Sequence, residues 1–162
     1  MIIRDFCKAD FAAVSAIYQM GIDTGHATFQ LLAKSWDEWH SSLLPHSRLV
    51  AELDGKVVGW AALSPISSRA VYAGVAEVSV YVDTGLGGRG IGQALLSHLV
   101  NASEQRGIWT LQAVIFPENL ASIALHQKNG FNIVGRRSKL GQLHGEWRDV
   151  MLLERRSAKV GI

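Results

Sequence analysis

The sequence predicts one α/β domain, a mixed sheet with helices on its faces. Three observations predict it. The chain has 162 residues, a length at which one core forms and about 70% of the unfolded surface can be buried. Its composition is that of a globular protein, 48% apolar and 19% charged. The hydrophobic period switches along the chain between helical and alternating, which gives the element order β α α β β β α β α β β.

Each element has its own signal. Residues 1–6 form a short apolar strand. Residues 9–20 carry Phe11, Val14, Ile17 and Tyr18 at helical spacing. Ser35-Trp36-Asp37-Glu38 matches a capping box and opens a second helix, which Pro45 stops near Leu44. Residues 48–53 and 56–63 flank Asp54-Gly55, the dipeptide of a type I′ hairpin. Residues 75–82 alternate as a third strand of this meander. Residues 90–105 place Ile91, Leu95, Leu99 and Ala102 on one helical stripe, with Gly107 at the C-terminal cap. Residues 109–115 form a strand and residues 119–128 a helix ending at Asn129-Gly130. Residues 133–135 are a short strand and residues 147–153 the last one.

Several function classes are excluded at this level. The longest apolar stretches, such as residues 57–63, fall far short of the roughly 20 residues that cross a bilayer. Arg4, Asp5, Lys8 and Asp10 stand where a secretory signal would be apolar, so a cytoplasmic location is expected. The single cysteine, Cys7, excludes an internal disulfide and is expected to be a small core residue. A net charge of +2, from 16 Lys and Arg against 14 Asp and Glu, gives no footprint for nucleic acid. His40 and His46 do not have metal-ligand spacing, and no metal is expected. There is no G-x-S-x-G nucleophile elbow.

Glycine is the outlier, 16 of 162 residues, and five of them cluster. Gly85, Gly87, Gly88, Gly90 and Gly92 lie between the strand at 75–82 and the helix at 90–105. Such a loop brings backbone N–H groups close to a ligand, and the helix N-terminus adds a positive dipole end, so it suits phosphate. Gly85, Gly87 and Gly90 formally satisfy a dinucleotide fingerprint. The next strand, however, ends Ala-Val-Ile-Phe without the acidic residue a ribose needs. No Gly-Lys-Ser/Thr follows, so it is not a Walker A loop either.

Gly87-Gly88-Arg89-Gly90-Ile91-Gly92, opening a helix after Val80-Tyr81-Val82, resembles the acetyl-CoA pyrophosphate loop of the GNAT superfamily of N-acetyltransferases. Gly90 and Gly92 match its two small positions, while Gly87 replaces the usual Gln or Arg. Asn119, Ser122, Leu125, His126, Gly130 and Phe131 follow the superfamily's later helix pattern, with His126 where many members have Tyr. Ala27-Thr28-Phe29, Arg69 with Tyr72, Glu77 with Val78–Val82, and His144-Gly145-x-Trp147-x-Asp149 resemble the phosphinothricin and methionine sulfone or sulfoximine acetyltransferase branch. The matched motifs run from about residue 27 to residue 150.

The resemblance implies a single GNAT domain over residues 1–162 with a mixed, mostly antiparallel sheet. It implies acetyl-CoA as co-substrate and a small amino acid or analogue as acceptor. It assigns the cofactor to Val80, Tyr81, Val82, Gly87, Gly88, Arg89, Gly90, Ile91, Gly92, Asn119 and Ser122. It assigns the acceptor to Phe29, Arg69, Tyr72 and His144, and implies a homodimer without membrane or nucleic-acid partners. Glu77 is the candidate general base, since burial among apolar residues makes a carboxylate a stronger base near neutral pH. Strand alternation alone would also let it face solvent. His126 is the candidate acid toward the thiolate, or a packed histidine. Asn119 is also a plain helix cap, and Arg69 also a surface arginine. The rival functions are an acetyltransferase of protein N-termini or polyamines, and a catalytically silent acyl-CoA-binding module.

Overall fold

The computed structural model describes all 162 residues. Seven strands form one sheet: β1 (Ile2–Asp5), β2 (Leu49–Leu53), β3 (Lys56–Pro65), β4 (Val75–Val82), β5 (Thr110–Ile115), β6 (Asn132–Leu143) and β7 (Glu146–Arg156). Four helices flank it: α1 (Phe11–Asp23), α2 (Trp36–Ser42), α3 (Ile91–Gln105) and α4 (Leu120–Lys128). The strand order is β1-β2-β3-β4-β5-β7-β6. Every neighbouring pair is antiparallel except β4 and β5. This is the element order and the mostly antiparallel mixed sheet that the sequence predicts.

Strand alternation sorts the core into two layers. Leu49, Ala51, Ala61, Leu63, Ala76 and Val78 pack with Leu95, Leu96 and Leu99 of α3. The residues between them on the strands, Val50, Trp60 and Ala62, pack with Val14, Ile17 and Tyr18 of α1 and Trp39 of α2. On β4 this puts Ala76 and Val78 on the α3 side, so Glu77, Ser79 and Tyr81 face α1. A side-chain Cβ at Gly21 of α1 would stand 2.7 Å from Tyr81 Cδ1, so a glycine is what lets α1 close over this strand.

The local signals act as the sequence suggests. Ser35 Oγ accepts from the Glu38 N–H at 3.3 Å while Glu38 Oε1 accepts from the Ser35 N–H at 3.2 Å. Asp54 and Gly55 take φ of 51° and 77°, as a type I′ turn requires.

Two expectations are corrected. The short strand at 133–135 is part of the twelve-residue β6, which pairs with β7 across two register shifts. Nearly all of β6 is exposed, so no apolar alternation marks it; its ladder to β7 defines it. Cys7 is exposed and outside the core. Its backbone N–H donates to Asp10 Oδ2 at 2.9 Å, and Arg4 holds that carboxylate through two 2.9 Å bonds. Those bonds keep the Asp10 carboxyl at about 2, well below its usual range.

Candidate active site

The sheet has one parallel junction, and that junction opens. β4 and β5 pair only at Val75↔Thr110, Ala76↔Leu111 and Glu77↔Gln112. Beyond this rung β4 stays with β3 as far as Val82, and β5 stays with β7 as far as Ile115. The two strands therefore diverge from Glu77 onward. The Gly74 carbonyl accepts from Trp109 and Thr110, so even-numbered residues of β4 turn their backbone toward β5. Past the last rung this leaves the Val80 and Val82 N–H groups facing the gap.

A cavity of about 580 Å³ fills the divergence. Glu77, Ser79, Val80, Tyr81 and Val82 line it from β4, and Ala113, Val114 and Ile115 from β5. Glu77 is partly buried, less than its apolar strand suggests. Its Oε1 accepts a 2.8 Å hydrogen bond from Gln112 Nε2. Tyr81 stacks on Trp60 at 5.0 Å and leans on Tyr18 at 4.9 Å. Burial pushes its phenol far above the usual value, with Tyr18 and Glu77 adding to the shift, so it stays neutral.

The glycine loop joins β4 to α3. Asp83 caps its first turn, its Oδ1 accepting from the Gly85 N–H at 2.8 Å. Ala94 is the first residue of the helix whose N–H finds a carbonyl, that of Gly90 at 3.0 Å. The backbone N–H groups of residues 87–93 have no partner in the protein. Gly88 and Gly90 have φ of 78° and 76°, and a Cβ at either would meet nothing within 4 Å. Their glycines serve backbone shape, which turns a run of N–H groups outward at a helix N-terminus and suits an anion. Gly87 has φ of −60° and open space around it, so nothing structural requires glycine there. At Gly92 a Cβ would lie 3.2 Å from Leu125 Cδ2, so this glycine lets α4 approach α3.

α4 supplies the opposite lip. Asn119 caps it, with Oδ1 accepting from the Ser122 N–H at 3.2 Å and Nδ2 donating to the His26 carbonyl at 3.4 Å. Asn119, Ser122 and His126 all line the cavity. His126 is buried, edge-on to Phe131, with Nδ1 at 2.7 Å from the Ser122 carbonyl. A carbonyl oxygen only accepts, so Nδ1 carries the proton of the neutral ring and Nε2 has none. Burial also pushes the imidazole below its usual value. The ring is therefore poorly suited to give a proton.

The segment between α1 and α2 walls the cavity through His26, Ala27, Thr28, Phe29, Gln30 and Lys34. Phe29 meets Phe116 edge-on at 4.9 Å. Arg148 of β7 ties this wall down. It donates to the Gly25 carbonyl at 3.1 Å and to Glu118 at 3.2 Å, and lies 4.1 Å over Phe116.

Of the residues named from sequence, Phe29, Glu77, Val80, Tyr81, Val82, Asn119, Ser122 and His126 come together around one cavity. Gly87, Gly88, Arg89, Gly90, Ile91 and Gly92 form the adjoining loop. Arg69, Tyr72 and His144 do not line the cavity. Arg69 is exposed, lying 5.5 Å over the Tyr72 ring, just upstream of β4. His144 and Gly145, with φ of 50° and 78°, make the exposed two-residue turn between β6 and β7. Trp147, beside that turn, is exposed as well. Sequence reasoning missed Gln112 and Arg148. Gln112 sits on a strand with no motif; Arg148 lies inside the His-Gly-x-Trp-x-Asp segment and could have been found there. No group of three His, Cys, Asp or Glu side chains could hold a metal ion. No helix is long and apolar enough to cross a membrane.

The sequence matches the model of the acetyltransferase (GNAT) family over residues 16–131. It is 33% identical to the phosphinothricin N-acetyltransferase of Streptomyces viridochromogenes, over 94% of this chain and 86% of that protein. It is 31% identical to the L-methionine sulfoximine/L-methionine sulfone acetyltransferase of Salmonella typhimurium, over 95% of this chain and 93% of that one. Its fold superimposes with a TM-score of 0.90 on a phosphinothricin acetyltransferase from Sinorhizobium meliloti crystallised with AcCoA. That match is 31% identical and covers 99% of this chain and 90% of the other. With an opened parallel junction, an unpaired glycine loop at a helix start and a family match over most of its length, the chain belongs to the GNAT family of acetyltransferases.

Proposed function

We propose that the chain moves an acetyl group from acetyl-CoA directly to the amine of a small free amino acid or analogue, with Glu77 as general base. Phosphinothricin, methionine sulfone and methionine sulfoximine are the first acceptors to try, because the relatives above are named for them. One observation carries the reading: the parallel junction opens just beyond Glu77, between an anion-suited loop and a walled cavity.

The unpaired N–H groups of residues 87–93 and the α3 dipole hold the pyrophosphate, and Arg89 adds charge at the same place. Val80 and Val82 offer free backbone groups to the pantetheine arm, with Asn119 and Ser122 across from them. Glu77 takes the proton of the acceptor ammonium, which frees the nitrogen lone pair. As nitrogen bonds to the acetyl carbon and the C–S bond breaks, the Val80 N–H holds the charge gathering on the carbonyl oxygen. The second proton of the attacking nitrogen passes to water, and water delivers one to the departing thiolate, given the tautomer and environment of His126.

That assignment makes His126 a packing and shaping residue. His126→Gln is expected to lower kcat at pH 7.5 by less than about tenfold, far less than loss of a general base. A loss as large as that of a Glu77 variant would restore His126 as the acid. The same variant tests linkage. A base whose folded value lies below its usual 6.5 binds its proton more readily in the unfolded chain. It therefore costs stability as pH falls through that value and contributes nothing well above it. Thermal melts from pH 8 to pH 5 should show a smaller acid loss for His126→Gln than for the wild type.

Arg69 is assigned to the acceptor's carboxylate at the mouth of the site, a guanidinium fork matching a carboxylate with two bonds. Arg69→Ala should raise KM for α-amino acids and spare the matched amides. Equal loss on both would remove Arg69 from the acceptor site. The exposed apolar side chains Ile133, Val134, Leu140 and Trp147 on β6 and β7 support a homodimer, which light scattering reads directly. A cytoplasmic location completes the proposal. The substrate class is tested by kcat/KM over amino acids, their sulfone and phosphinic analogues, polyamines and peptides with free N-termini. Preference for the peptides would overturn the amino-acid assignment.

A further inference from the structure

We propose that Gln112 is a positioning residue for Glu77: its amide N–H holds one carboxylate oxygen and leaves the other to the acceptor amine. The inference rests on Glu77 being the base. Glu77 and Gln112 form the last rung of the parallel junction, so their side chains share a face at the spacing of adjacent strands. Gln112 Nε2 donates to Glu77 Oε1 at 2.8 Å, and this is the only hydrogen bond that the Glu77 side chain makes. Glu77 lines the cavity and Gln112 does not. The amide therefore grips the carboxylate from behind.

A glutamate facing an open cavity has several rotamers available, and only some point a lone pair at the amine. A fixed donor on one oxygen selects among them, and fixed geometry is where much of an enzyme's rate comes from. A neutral residue suits this place, because Glu154 of β7 stands opposite Gln112 on its other side. The other groups that bear on Glu77 are Ser64, opposite it on β3, and Tyr18, Tyr81, His26, Lys34 and His126 around the same cavity. None of them makes a hydrogen bond to its carboxylate.

The test is Gln112→Met, which keeps length and volume and removes the donor. Melting temperature and acetyl-CoA affinity by calorimetry are measured alongside. The expected result is a fall in kcat of about tenfold, with the acceptor KM and the acetyl-CoA affinity both within about twofold of wild type. If the methionine variant does not fold, Gln112→Glu replaces it; an ionised carboxylate has no N–H to donate, and kcat should fall at least as far. Wild-type kcat, or a loss that falls on the acceptor KM or on acetyl-CoA affinity instead of kcat, with Glu77→Gln inactive, would overturn the role of Gln112 and leave the base assignment standing. An active Glu77→Gln would overturn the base assignment itself, and the role of Gln112 with it.

Discussion

Glu77→Gln is expected to lower kcat by about 10²–10⁴ while acetyl-CoA still binds. The substitution keeps the size of the side chain and removes its ability to take a proton. Glu77 is the only carboxylate that lines the cavity. Tyr18 and Tyr81 have their phenols pushed up by burial, so neither takes its place near pH 7. The residual rate should rise steadily with pH, because only acceptor already in the free-amine form then reacts. Calorimetry with acetyl-CoA separates this from a binding defect. A variant running near the wild-type rate from pH 6 to pH 9 would make Glu77 structural.

Gly90→Val is expected to weaken acetyl-CoA binding by about 10–100-fold with the fold retained. At φ of 76° a β-branched residue is strained, by about 1–2 kcal/mol from handedness alone. The loop can relieve that strain only by turning N–H groups away from the ligand. A Cβ there meets nothing within 4 Å, so the rest of the molecule need not move. Gly92 is the poorer test, because its Cβ would push on Leu125 and disturb helix packing as well. Gly87→Arg is the converse experiment. Its backbone accepts any residue, and an arginine beside the pyrophosphate should tighten binding in a salt-sensitive way. An unchanged dissociation constant in folded Gly90→Val would show that the pyrophosphate does not rest on this loop.

Local chemistry made much of this legible in advance. The Ser35 capping box, the Asp54-Gly55 hairpin and the glycine loop each state their conformation within a few residues, and the structure has all three. What could not be read depends on pairing between distant segments. β6 is a long strand because β7 is beside it, not because its own residues alternate. The opening of β4 from β5 is likewise written in no single segment, and it turns an ordinary strand glutamate into the floor of a cavity. Gln112 acquires its place only from that register. Arg69 and His144 sit in family-like motifs, and in this chain both side chains lie outside the cavity lining.

The central claim is that this cleft transfers acetyl groups to small amines. Its most direct measurement is the release of free thiol from acetyl-CoA by the purified protein, with the N-acetyl product quantified by mass spectrometry. The predicted result is thiol release that depends on an added amino acid or analogue, matches N-acetyl product one to one and is lost in Glu77→Gln. Acetyl-CoA binding without amine-dependent thiol release for any amine class would contradict the account and leave a silent acyl-CoA-binding module.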